Sequence, residues 1–95
     1  MMDEREARLK RLRMRSWRRG IKEMDLILGP FSDSELTGLS EPELELYEVL
    51  LAENDQDLYP WITARMKGES PGPQALVPLL DRIAGFAARR LGRKT

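Results

Sequence analysis

The sequence predicts an all-α fold: a single domain spanning residues 1–95, built as a five-helix bundle with short connections. Three observations lead there. Apolar residues recur at three- and four-residue steps in five separate segments. No stretch alternates apolar with polar residues as a half-buried strand does, and β-branched residues are few. Glycine, proline or a capping residue stands at the segment boundaries. At 95 residues the chain has room for one hydrophobic core and not two.

Residues 3–18 lack Gly and Pro and predict the first helix. Leu9, Leu12 and Trp17 form its apolar stripe, beside Arg8, Arg11, Arg15 and Arg18 at helical spacing. Gly20 is the expected stop, supplying the positive φ that helix termini often need, with Arg18 and Arg19 complementing the negative end of the dipole. Ile21, Met24, Ile27, Leu28 and Phe31 predict a second helix, kinked at Gly29-Pro30 because proline removes a backbone donor. If Gly20 is also its N-cap, Glu23 falls at the third helical position, where a negative charge suits the dipole.

Ser40 and Glu43 form a capping box that opens a third helix, with Leu44, Tyr47, Leu50 and Leu51 facing inward. Asp55 is the expected cap of a fourth, with Leu58, Trp61, Ile62 and Met66 on one side and Gly68 as its end. Residues 68–73, GESPGP, read as a loop. Leu76, Leu79, Leu80, Ile83, Ala84, Ala87 and Leu91 predict the fifth helix, with Pro78 an awkward early member and a basic tail frayed from about residue 90.

Composition narrows the chemistry. With 41% apolar and 34% charged residues the chain has the balance of a soluble protein, and its short apolar runs could not span a bilayer. The N-terminus mixes arginines with Asp3, Glu4 and Glu6 and lacks the pattern of a secretory signal. The absence of cysteine removes disulfides and thiolate metal sites and permits a reducing compartment, so the cytoplasm is the expected location. Without histidine the commonest general base and the usual zinc sites are missing as well, and none of the seven glycines forms a GxGxxG or phosphate loop. No catalytic residue, metal site or cofactor site of the chain's own is expected.

A net charge of zero conceals a partition of +5 over residues 1–23, −10 over 24–60 and +5 over 61–95, which predicts separate electrostatic fields. Glu41, Glu43, Glu45 and Glu48 are expected on the solvated arc of the third helix, and Asn54, Asp55 and Asp57 serve helix capping rather than calcium. Trp17, Tyr47, Tyr59 and Trp61 suit core or rim positions. A nucleic-acid module driven by the arginine face conflicts with the acidic middle, and a generic protein adaptor remains open.

Residues 17–25, WRRGIKEMD, are where the charge changes sign. On the residues alone, structural punctuation of a helical hairpin outranks an active surface. The stretch Arg19-Gly20-Ile21-Lys22-Glu23, however, resembles the RGxxE motif of the FAD assembly factors of succinate dehydrogenase, small five-helix proteins of bacteria and mitochondria. RRGIKEMDLILGPF extends that motif, and LLAENDQDLYPWI is similar to the family's second recurring segment. The resemblance covers roughly residues 8–66.

The resemblance implies a non-enzymatic, monomeric assembly factor. Such factors bind the flavoprotein subunit of succinate dehydrogenase, in many bacteria also that of fumarate reductase, and promote covalent attachment of FAD to a histidine of that subunit. FAD then belongs to the client, and neither nucleic acid nor membrane insertion is involved. Carried over by position, Arg19, Gly20 and Glu23 contact the client. Asp25 belongs to the same surface, following Met24 where leucine is common in relatives, and Arg15 and Arg18 on the approach to the motif join it. No contact role is implied for residues 68–95.

Overall fold

The computed structural model describes residues 2–91, with the side chain of Leu91 outside the description. Five α-helices follow in order: α1 (Glu4–Ser16), α2 (Lys22–Glu35), α3 (Glu41–Leu51), α4 (Asp55–Arg65) and α5 (Val77–Leu91). Short 3₁₀ turns at Leu36–Gly38 and Gln74–Leu76 lead into α3 and α5. No strand occurs among the described residues. The expected all-α five-helix bundle is the observed architecture, with α1 packed on α2 and α3, and α5 on α2, α3 and α4. Of the tail expected to fray from about residue 90, Arg90 and Leu91 still belong to α5, and the rest lies outside the described residues.

Local chemistry explains where each helix starts. Asp3 and Glu6 form a reciprocal capping box at α1, with the Glu6 amide donating to Asp3 at 2.8 Å and the Asp3 amide to Glu6 at 3.2 Å. Ser40 and Glu43 do the same at α3, as the sequence predicts. The Ser40 amide also holds the Glu43 carboxyl below its ordinary pKa. Pro78 is comfortable because it sits in the first turn of α5, where a missing N–H leaves no intrahelical bond unmade.

Several boundaries differ from expectation. α1 stops at Ser16, with Trp17 as a right-handed C-cap, rather than running to Gly20. Among the described residues only Gly68 and Gly72 have positive φ, so Gly20 is not a left-handed stop. The N-cap position of α2 is Ile21, which places Glu23 second in the helix. α2 and α4 contain Pro30 and Pro60 without ending there, each at the cost of one backbone bond. Asn54, not Asp55, occupies the N-cap of α4, and Asp55 is its first helical residue. Gly68, at φ +84°, does follow α4 as expected. Met66 is exposed rather than packed, and Trp61 is half-buried.

One hydrophobic cluster joins all five helices, with Leu12, Met24, Leu28, Phe31, Tyr47, Leu58, Ile62 and Leu80 almost entirely removed from water. Phe31 stacks on Tyr47 with ring centroids 5.9 Å apart and meets Phe86 edge-on at 5.6 Å. Trp17 is not core: its indole is 41% exposed and lies against the α2 backbone at Gly29. A Cβ at Gly29 would fall 2.4 Å from the indole, so the absent side chain makes room for the ring. The indole N–H donates to Asp33 at 3.3 Å.

The charge partition is resolved in part inside the fold. Arg5 and Arg8 of α1 pair with Glu41, and Arg8 also with Glu48 at 3.3 Å, so two of the glutamates expected on a solvated arc tie α3 to α1. The bond to Glu48 raises the Arg8 pKa further. Arg82 of α5 reaches Glu35 and Glu43 at 3.4 and 3.5 Å, and Arg65 meets Asp81 at 2.7 Å. Segments of opposite sign are therefore adjacent layers rather than isolated fields.

At the centre Ser16 meets Tyr47, with their oxygens 2.6 Å apart. Ser16 commits its single proton to the Leu12 carbonyl at 2.7 Å, so the Tyr47 hydroxyl must be the donor to Ser16. Burial pushes the Tyr47 phenol up to about 12. The unfolded chain loses that proton near pH 10. Between these values the unfolded state binds fewer protons, and stability falls as pH rises. Alkaline denaturation should therefore show a Tyr47-dependent loss of about 2–3 kcal/mol between roughly pH 10 and 12. Tyr47→Phe, followed by circular dichroism over the same range, should lack that component.

Candidate functional site

The junction between α1 and α2 is five residues, Trp17 to Ile21, and every amide in it has an acceptor. Trp17 donates to the Arg13 carbonyl at 3.1 Å and Arg18 to Arg15 at 3.3 Å. Arg19 donates to the Asp25 carboxylate at 2.6 Å. Gly20 and Ile21 both donate to one oxygen of Asp55, at 2.7 and 3.3 Å. A loop with its donors fully satisfied holds a defined shape.

Asp55 also receives the Arg19 guanidinium, with Nε at 2.9 Å and Nη2 at 2.8 Å from its other oxygen. The remaining Arg19 donors reach the carbonyls of Leu51 and Glu53, each at 2.7 Å. The pair is nearly dry, with side-chain exposures of 9% for Arg19 and 11% for Asp55. Its placement follows helix electrostatics. Arg19 sits at the C-terminal end of α3, where orphan carbonyls and the dipole favour a cation, while Asp55 sits at the start of α4 and accepts the amides leading into α2. One ion pair thus fastens three helix ends.

Gly20 fits because it has no side chain. A Cβ there would lie 3.1 Å from the Asp55 oxygen that receives the Gly20 amide, so any larger residue presses on the carboxylate that shapes the loop.

Around this braced loop the surface is open. Arg15, Arg18, Gly20, Ile21, Lys22 and Glu23 are all exposed. Met14, Ile21 and Leu26 add apolar area, exposed to 43%, 39% and 56%. A groove of about 390 Å³ is lined by Arg11, Met14, Arg15, Arg18 and Arg19. A second, of about 320 Å³, runs from Glu23 and Leu26 to Tyr59, Ala87 and Arg90. No group of three or more acidic side chains suited to a metal ion occurs among the described residues.

Of the six residues predicted to contact a partner, the structure brings Arg15, Arg18, Gly20 and Glu23 to the surface. Arg19 and Asp25 turn their functional groups inward to brace the loop. Sequence reasoning missed Asp55 as the brace, having assigned it to capping its own helix. Its signal was its place in LLAENDQDLYPWI, the segment that joins the first one through this carboxylate. Met14 and Leu26 were also missed.

The family described as flavinator of succinate dehydrogenase matches residues 10–87, which takes in the junction, the Arg19 and Asp55 pair and most of α5. The chain belongs to this flavinator family. It is 40% identical to the FAD assembly factor SdhE of Pseudomonas putida over 70% of its own length and 80% of the relative's. It is 43% identical to the mitochondrial succinate dehydrogenase assembly factor 2 of Saccharomyces cerevisiae over 94% of its length, and to that of Meyerozyma guilliermondii over 64%. It spans about half the length of these two mitochondrial relatives, 54% and 45% respectively. The flavinator match continues well past residue 66, where the motif resemblance ended. No helix among the described residues is long and apolar enough to cross a membrane.

Removing the brace should be costly. Asp55→Ala leaves the Arg19 guanidinium buried without its anion and two amides without an acceptor. It should lower unfolding free energy by about 2–4 kcal/mol in urea titrations. Asp55→Asn, which keeps an acceptor, should lose less.

Proposed function

We propose that the chain is an assembly factor that binds the flavoprotein subunit of succinate dehydrogenase and promotes covalent attachment of FAD to it. The single observation that carries this reading is the exposed α1–α2 junction, held in one shape by Arg19 and Asp55, in a chain of the flavinator family. The two sequence segments that resemble the assembly factors meet at this junction, which is why a surface built there suits the role. The fumarate reductase flavoprotein, with the same chemistry, is the second client.

In this reading Gly20, Glu23, Arg15 and Arg18 touch the client, while Arg19 and Asp25 set the loop that presents them. The exposed carboxylate of Glu23 accepts client donors, and the arginines supply charge-assisted bonds that fix orientation. FAD is held by the client, and the acceptor histidine is the client's own. The chain, lacking histidine and cysteine, supplies neither an imidazole base nor a thiolate. It acts by favouring the client arrangement in which the flavin methyl and the histidine come within reaction distance, an effect of proximity. The factor works as a monomer, in the cytoplasm, and dissociates after attachment.

The test is covalent flavin in the client, read as in-gel fluorescence after co-expression in a strain lacking the endogenous factor. Gly20→Arg should reduce it by about tenfold or more, since the side chain both crowds Asp55 and blocks the patch. Glu23→Ala, at an exposed position where loss of the first-turn charge costs the helix only about 0.3–1 kcal/mol, should give a smaller but clear loss. Undiminished flavinylation with both folded variants would overturn the reading.

A further inference from the structure

The groove on the outer face of α1 identifies the chemistry of what docks there. Arg11, Arg15 and Arg18 line it together with Met14. All four are exposed, and the three guanidiniums have no hydrogen-bond or ion-pair partner among the described residues. They differ in this from Arg5 and Arg8 one and two turns earlier, whose charge is spent on Glu41 and Glu48. Dipole complementarity accounts for basic residues in the last turn of α1 and does not reach back to Arg11. A row of unspent guanidiniums beside an exposed thioether is suited to a ligand that is anionic and apolar at once.

We infer that this groove receives an acidic segment of the client flavoprotein, carrying two or three carboxylates and at least one apolar side chain that covers Met14. The inference rests on the assembly-factor reading and extends it from the junction onto α1. Three features select a polypeptide. Arg11 and Arg15 lie one turn apart on α1 and Arg18 just past its end, a stretch on the order of 10 Å long, which matches two or three carboxylates and is short for a phosphate backbone. Acidic groups bound the stretch: Glu4 and Glu41 line the adjoining cleft beyond Arg11, and Glu23 stands beyond Arg18. A nucleic acid, with a charge every 1.7 Å or so of duplex, would be carried onto those acids. Met14, finally, gives an apolar contact that a sugar-phosphate chain does not use. Guanidiniums bind carboxylates with paired donors, so the groove sets orientation as well as affinity.

The test measures binding of the full chain to the purified, FAD-loaded flavoprotein subunit across a salt series. Arg11→Glu, Arg15→Glu and Arg18→Glu combined should weaken affinity by about tenfold or more at low salt and flatten the salt dependence. The corresponding triple lysine variant should stay within a few-fold of wild type. All three positions are exposed, and far-ultraviolet circular dichroism is to verify that the variant folds. Arg15→Glu alone, with a smaller expected loss, serves if the triple variant is unstable. A photo-crosslinker at Met14 should capture a client peptide containing at least two Asp or Glu residues. Binding by the triple glutamate variant within twofold of wild type, while Gly20→Arg still abolishes it, overturns the groove and the contact role of Arg15 and Arg18, and leaves the assembly-factor role resting on Gly20 and Glu23. So does a captured peptide without acidic residues, or a loss confined to binding of a 30-base-pair DNA duplex. Failure of the wild-type chain to bind the flavoprotein overturns both.

Discussion

The structure depends on one buried ion pair. Arg19 and Asp55 lie at the point where α3 ends, α4 begins and the chain enters α2, and each helix terminus contributes groups that the pair satisfies. Taking two charges out of water is expensive, and a pair alone in a dry site would gain little. Here the cost is offset by two carbonyls on the cation and two amides on the anion, every one of which would otherwise need another partner. The arrangement explains why a glycine sits beside the arginine. The carboxylate must approach the backbone at position 20 closely enough to accept its amide, and a Cβ would stand 3.1 Å from the same oxygen.

The consequence for function is a division of labour within a short motif. Residues that look equivalent in WRRGIKEMD have separate tasks: Arg19 and Asp25 face in and set the backbone, while Arg18, Gly20 and Glu23 face out on it. An outward patch on a loop whose amides are all satisfied loses little entropy when a partner binds, because its shape exists beforehand. Pairing elsewhere sharpens the contrast. Glu35, Glu41, Glu43 and Glu48 of the acidic middle segment pair with arginines of α1 and α5, whereas Arg11, Arg15 and Arg18 on the outer face have no ion pair among the described residues.

Much of the fold was legible because it rests on periodic or local signals. The apolar faces of α2, α3 and α5 came from three- and four-residue spacing, and the Ser40 and Glu43 box from adjacent residues whose geometry is fixed by a single turn. What was not legible depends on distance in sequence. Asp55 lies 36 residues from Arg19, and nothing in the spacing of charged residues reveals which acid meets which base. Asp55 was therefore read as a cap of its own helix, and Arg19 as a contact residue rather than a brace. Trp17 fitted the apolar stripe of α1, yet it lies outside the core because Gly29 offers a flat stretch of α2 backbone for its ring. The direction in which each side chain of the six-residue stretch faces required the fold.

The most direct measurement is hydrogen exchange of backbone amides in the chain alone and bound to the FAD-loaded flavoprotein. The account predicts slow exchange at Arg19, Gly20 and Ile21 in the free chain, since each is held by Asp25 or Asp55. Binding should then protect residues 11–23 further, with little change over 68–88. Rapid exchange of the Gly20 and Ile21 amides in the free chain, or protection by the flavoprotein confined to α5, would contradict it.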